Sequence, residues 1–222
     1  MRVFTNSGMS LDGKLGTSAR DHVEIGSARD RRQMSKLRAL ADAVLVGGQT
    51  FRNWPYPLIE EPVDAAGARV RPVVNAVLTR TGDGPREGAF FDDPRTQVVM
   101  LGSEGADLSG FPAGTRTHHA VGEATAEWAL GLLEREYGIE SLLIEAGGDL
   151  IFQCVDTGRV DELFVTVCPW LIGGADAPSV ADGAGFTADT MRALKLLEHR
   201  VEGDEIFLRY AVLGPRASFS AE

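Results

Sequence analysis

The order of apolar runs in this 222-residue chain predicts an α/β fold: a central, mostly parallel mixed sheet of about eight strands flanked by helices. Three observations lead there. DAVLVGG and SLLIEA are apolar without interruption, as strands buried on both faces are. SARDRRQMSKLRALA and TAEWALGLLEREYG carry a helical period and alternate with the strand-like runs. The tail ALKLLEHRVEGDEIFLRYAVL reads as two strands around EGDE, a C-terminal antiparallel hairpin.

In chain order, RVFTN is a short strand followed by the loop SGMSLDGKLGT. The first helix has Ser27 as N-cap and places Met34, Leu37, Leu40 and Ala41 on one face. Its basic residues, RDRR with Lys36 and Arg38, read as a solvated face. After DAVLVGG, the prolines 55, 57 and 62 make QTFRNWPYPLIEEP a loop. VVNAVLT, TQVVML and TRTHHAV are strands, and RTGDGPREGAFFDDPR between the first two is a long surface loop. The second helix runs from Thr125 as N-cap to Gly138 just past its end. SLLIEA, a short helix DLIFQCVDTG and the strand DELFVTVCP complete the series before the hairpin. One domain over residues 1–222 is expected, without repeat or linker.

Composition excludes several classes. A formal charge of −10 argues against nucleic acid or an anionic membrane as partner. No apolar run reaches spanning length, and MRVFTNSG has no signal-peptide pattern. Cys154 and Cys168 each sit in an apolar run and read as buried thiols of a cytoplasmic protein. His118 and His119 are successive on a strand and so point to opposite faces; no metal site is assigned. His22 and His199 are isolated.

Four stretches carry candidate chemistry. VLVGGQT and IEAGGDL both lead from a strand through paired glycines into a polar start. Such ends suit tight turns, and equally backbone N–H groups that meet phosphate; two of them could hold the halves of a dinucleotide. Neither GxGxxG nor GxxxxGK[ST] occurs. The strand ending in Thr79-Arg80-Thr81 offers a guanidinium and two hydroxyls, which suit a 2′-phosphate where an NAD site would place an acid, or simply a solvated loop. SLDGK puts Ser10, Asp12 and Lys14 around one glycine, either an Asp-Gly turn or a polar pocket floor. Lys14 beside a buried acid such as Glu145 would form a coupled pair able to manage a proton.

Taken together, TNSGMSLDGKLGT, LRALADAVLVGGQT, GIESLLIEAGGDL and GRVDELFVTVCPWLIGGADAPSVADGAGF closely resemble the pyrimidine reductases of riboflavin biosynthesis, from about residue 2 to 213. The resemblance implies a dihydrofolate-reductase-like fold, a homodimer and NADPH as cofactor. It implies reduction of a ribosylaminopyrimidine 5′-phosphate to its ribitylamino form, with hydride delivered to the sugar C1′. It places Gly47, Gly48, Thr50, Thr79, Arg80, Thr81, Ala146, Gly147, Gly148 and Asp149 on the cofactor and Asn6, Ser10 and Asp12 on the substrate. Lys14 and Glu145 become the catalytic pair. The family's usual DDP after VGxxT is absent, with Trp54 at its first acid; Arg52 is the expected stand-in for the arginine that accompanies that motif. EAGGD replaces the usual EGGG, and Asp149 is expected to cap the helix it starts. These departures keep two alternatives open: a reductase of another pteridine, pyrimidine or carbonyl compound, and a nucleotide-binding sensor without catalysis.

Overall fold

The computed structural model describes residues 1–20, 23–60 and 71–215. His22 and Pro62 lie outside the described residues. The described residues form nine strands and five helices: β1 (Arg2–Ser10), α1 (Ala28–Ala39), β2 (Ala43–Gly47), α2 (Gly48–Asn53), β3 (Val73–Thr79), α3 (Ala89–Asp92), β4 (Thr96–Gly102), β5 (Arg116–His119), α4 (Ala126–Tyr137), β6 (Ser141–Ile144), α5 (Gly148–Asp156), β7 (Glu162–Cys168), β8 (Arg192–Glu202) and β9 (Glu205–Pro215). None of the helices is long and apolar enough to cross a membrane. The chain divides into two compact units, Arg32–Ala146 with Met1, and Arg2–Arg31 with the residues from Gly147 onward.

The first unit holds five strands in the order β5-β4-β3-β2-β6, every neighbouring pair parallel. Parallel strands need both faces covered, and the residues obey this. Ala43, Val44, Leu45 and Val46 of β2 are all fully buried, as is every residue of β3. Thr125 caps α4 as its sequence position predicts: its side chain accepts a hydrogen bond from Trp128 N–H. Gly138 closes that helix in the left-handed conformation at φ 62°.

The second unit pairs β1 with β7 in parallel, and continues antiparallel through β9 to β8. The predicted hairpin is present, turning at Gly203-Asp204 between β8 and β9. Ser27 caps α1, accepting from Arg29 N–H on its hydroxyl oxygen. That hydroxyl in turn donates to Glu205 of β9, 2.6 Å away.

Several elements differ from expectation. β1 runs on to Ser10 because its polar end is paired with β7 as far as Cys168 and buried there. Gly48 and the first five residues of the expected proline-rich loop form α2, too short for a periodic signal. α3 is a single turn inside the expected surface loop, held by buried Phe90, whose ring lies 4.9 Å from that of Phe51. Leu40 is exposed, because α1 ends one residue before it. Arg38, expected in solvent, is buried. It stands four residues after Met34 and next to Leu37, on the stripe that faces inward.

One buried polar side chain organises the segment after α2. Asn75, in the middle of β3 and wholly buried, accepts from Leu58 N–H at 2.8 Å and donates to Leu58 C=O at 3.0 Å. It supplies the two bonds that a neighbouring strand would otherwise make. Replacing Asn75 by Ala leaves both backbone groups of Leu58 unpaired in the interior. We expect a loss of about 3 kcal/mol in denaturant unfolding, and a variant as stable as the parent would show that water takes over both bonds.

Candidate functional site

In a parallel sheet all carboxyl ends lie on one side, which brings the ends of β2, β3 and β6 together. Leu45 is in register with Ile144 and Gly47 with Leu78, and Glu145 N–H donates to Leu45 C=O at 3.0 Å. Gly47 is the N-cap of α2 and no side chain caps that helix. A Cβ on Gly48 would sit 3.0 Å from Thr79 Oγ1, so the glycine allows β3 to approach closely. Thr79 and Thr81 cap the following turn, their hydroxyl oxygens accepting from Gly82 and Asp83 N–H. Each hydroxyl keeps its proton for a ligand. Arg80 between them is exposed. On α2, Thr50 C=O accepts from Trp54 N–H, and exposed Arg52 donates to Gln49 Oε1 at 2.8 Å.

Glu145 has a partner that the sequence reading assigned to solvent. Arg38 Nε donates to its Oε1 at 2.9 Å and Nη2 to its Oε2 at 2.6 Å. Nη1 reaches Ile59 C=O at 3.3 Å. Both side chains are about nine-tenths buried, at 9% and 10% exposure. This two-toothed ion pair joins α1, the end of β6 and the segment that Asn75 pins.

The second unit carries the other set. Ser10 Oγ donates to Asp12 Oδ1 at 2.6 Å and accepts from Lys14 N–H at 2.9 Å. Gly13 takes φ +79°, as the tight turn needs. Asp12 also accepts from the Ile172 and Gly173 N–H groups, at 3.1 and 2.7 Å. The Ser10 hydroxyl first, then these two amides, bring its pKa down to about 2. Both oxygens of Asp12 are therefore engaged in tying two loops together. Lys14 Nζ donates to Ala177 C=O at 3.0 Å, and its backbone bridges to Ser179. One of the three ammonium N–H bonds is thus occupied. Each member of the expected catalytic pair has a partner within its own unit, Ala177 for Lys14 and Arg38 for Glu145. Asn6 Oδ1 and Ser7 Oγ are buried without a hydrogen-bond partner among the described residues.

At the start of α5 the two glycines differ. A Cβ on Gly148 would fall 2.2 Å from Ser179 C=O, so the fold requires that glycine. Gly147, the N-cap, has an ordinary φ of −70°, is exposed, and a Cβ there meets nothing within 4 Å. The fold places no demand on it. No side chain caps α5; Asp149, expected to do so, is exposed one position inside the helix. Ala146 links β6 to this turn.

Elsewhere, His118 Nε2 meets Tyr137 OH at 2.7 Å, and His119 Nδ1 meets Ser103 C=O at 3.1 Å. The two rings thus have separate partners, as their opposite faces require. Burial pushes the Cys154 and Cys168 thiols up to about 12. They are inert packing groups at neutral pH.

Residues 2–208 match the model of the RibD C-terminal domain. The chain belongs to the RibD C-terminal domain family. It is 33% identical to the 2,5-diamino-6-ribosylamino-4(3H)-pyrimidinone 5′-phosphate reductase of Methanothermobacter thermautotrophicus, over 96% of this chain and 98% of that one. A reductase of the same name from Archaeoglobus fulgidus is 29% identical over 83% of this chain and 87% of its own. In fold the chain resembles RibD of Acinetobacter baumannii, with a TM-score of 0.78 and 22% identity over 96% of this chain; it spans 58% of that larger protein. A pyrimidine reductase-like protein from Corynebacterium diphtheriae gives 0.77 and 20%, covering 96% of this chain and 92% of that one.

The residues present fit a phosphate-bearing dinucleotide. Two glycine-led helix starts have no side-chain cap. Gly147 leaves room for a close approach, and Arg80 stands exposed at the strand end. Asp149 opposes an anion, yet its exposed side chain is free to turn toward water. Gly147→Ala is expected to fold normally and to lose affinity for the dinucleotide about tenfold, a typical cost of displacing one good contact. Gly148→Ala should lower the melting temperature instead. Titration of NADPH against both variants, with their melts, checks the contrast; equal behaviour would remove the role given to Gly147.

Proposed function

We propose that the chain is an NADPH-dependent reductase of riboflavin biosynthesis, with residues 1–222 acting as one reductase domain. It converts a ribosylaminopyrimidine 5′-phosphate to the ribitylamino form. The supporting observation is the near end-to-end match to a reductase named for that substrate. The geometry supports the same chemistry, with cofactor-side and substrate-side sets at strand ends and turns.

Opening the sugar gives an imine; its reduction takes a hydride at C1′ and a proton at nitrogen. When bound, reduced nicotinamide supplies the hydride. The chain positions, polarises and manages the proton. Lys14 has N–H bonds left after its contact with Ala177, and donates toward the imine nitrogen. Glu145, held in plane by Arg38, accepts from the sugar side. Holding the sugar in line with a bound nicotinamide would remove several kcal/mol of the barrier, as orientation of reactants generally does. Arg80, with the Thr79 and Thr81 hydroxyls, takes the 2′-phosphate, and Arg52 lies on the substrate-phosphate side.

The test is loss of NADPH absorbance with the ribosylaminopyrimidine phosphate. Lys14→Met and Glu145→Gln should each cut turnover about 100-fold or more. Arg80→Ala should weaken NADPH about tenfold and leave NADH unchanged, since one charge-assisted contact is lost. Saturable NADPH binding without turnover would favour a sensor. Wild-type rates in both Lys14 and Glu145 variants would overturn the catalytic assignment.

A homodimer belongs to the same proposal. β8 and β9 expose Leu194, Leu196, Val201 and Ile206, and their cross-strand pairings put these on a common face of the hairpin. An apolar stripe on an outer hairpin calls for a cover, and a second copy of the chain supplies a matching one. Leu196→Glu is expected to shift sedimentation from dimer to monomer; a wild-type chain that sediments as a monomer would dismiss the dimer.

A further inference from the structure

We infer that Arg38 is a positioning residue for the reduction: its guanidinium fixes the plane and reach of the Glu145 carboxylate. The inference rests on the assignment of Glu145 to the reaction. Two parallel bonds, 2.9 and 2.6 Å, engage one lone pair on each carboxylate oxygen. The remaining lone pairs then point in set directions. A free Glu side chain would sample several rotamers; this one is held at its tip.

The fork is itself anchored. Its third nitrogen donates to Ile59 C=O, next to Leu58, which Asn75 binds through both backbone groups. A continuous line of hydrogen bonds therefore runs from the middle of β3 through the segment after α2 to Arg38 and Glu145. Arg38 also stands on the inward stripe of α1, between Leu37 and the buried Ala41. A charge there costs desolvation, and a well-packed apolar pair of the same size is often as stable. Stability alone does not account for this fork; orientation of the acid does. Guanidinium stays protonated throughout, so Arg38 directs the carboxylate and moves no proton itself.

The experiment compares Arg38→Met, Arg38→Lys, Glu145→Gln and the double variant Arg38→Met/Glu145→Gln in steady-state turnover, NADPH titration and thermal melting. Arg38→Met should lose turnover nearly as far as Glu145→Gln, about 100-fold, with NADPH affinity unchanged. Arg38→Lys should recover only part of it, since an ammonium cannot make the fork. The double variant should be no slower than Glu145→Gln alone, because residues that act as a unit are not additive. Arg38→Met leaves a buried carboxylate unpaired; if it fails to fold, the double variant, which removes both charges, still gives the comparison. Wild-type turnover in Arg38→Met, or losses that multiply in the double variant, would overturn the inference while leaving Glu145 in place. Full activity in Glu145→Gln would instead remove Glu145 from the reaction, and Arg38 with it.

Discussion

A parallel strand has no face to give to water, and most of this molecule follows from that constraint. With β2, β3 and β6 buried on both sides, polar residues are driven to the strand ends. Gly47, Thr79 and Glu145 all occupy such positions. Polar groups gather at the carboxyl ends because the sheet interior excludes them, and because the chain must leave each strand there through a turn. Within these three strands Asn75 is the exception, and it is tolerated because both of its polar groups are matched by Leu58.

The electrostatics are local. A chain of net charge −10 does not attract phosphates by its overall field. Individual cations stand at particular places: Arg38 inside and paired with Glu145, Lys14 on a turn braced by Ala177, and Arg80 on the surface. Asp12 illustrates the converse. Its carboxylate is spent on Ser10, Ile172 and Gly173, and their hydrogen bonds hold its pKa below the usual carboxylate range, at about 2. Through these bonds it shapes the Lys14 turn.

Glycine pairs that look alike in sequence separate in structure. Gly148 is required because Ser179 C=O stands where its Cβ would be. Gly147 is next to it and nothing in the chain explains it. Where the fold makes no use of a glycine, the space beside it is available to a ligand. The same reasoning gives Gly48 a structural cause, the close approach of Thr79.

Local patterns were enough to read the strands, the α1 and α4 caps at Ser27 and Thr125, the αL glycine at 138 and the terminal hairpin. Each depends on residues within a few positions of one another, or on a period that repeats. The short α2 and α3 escaped because six and four residues carry no period. Arg38 was legible in principle, since its spacing from Met34 and Ala41 put it on the buried stripe, but a charged residue is ordinarily assigned to water. Its partner, 107 residues along the chain, could be identified only once α1 and β6 were packed. Sequence alone determined the longer elements, the family and the kinds of groups on offer; tertiary structure decided which acid meets which base, because a buried charge is matched by distance in space and not by distance along the chain.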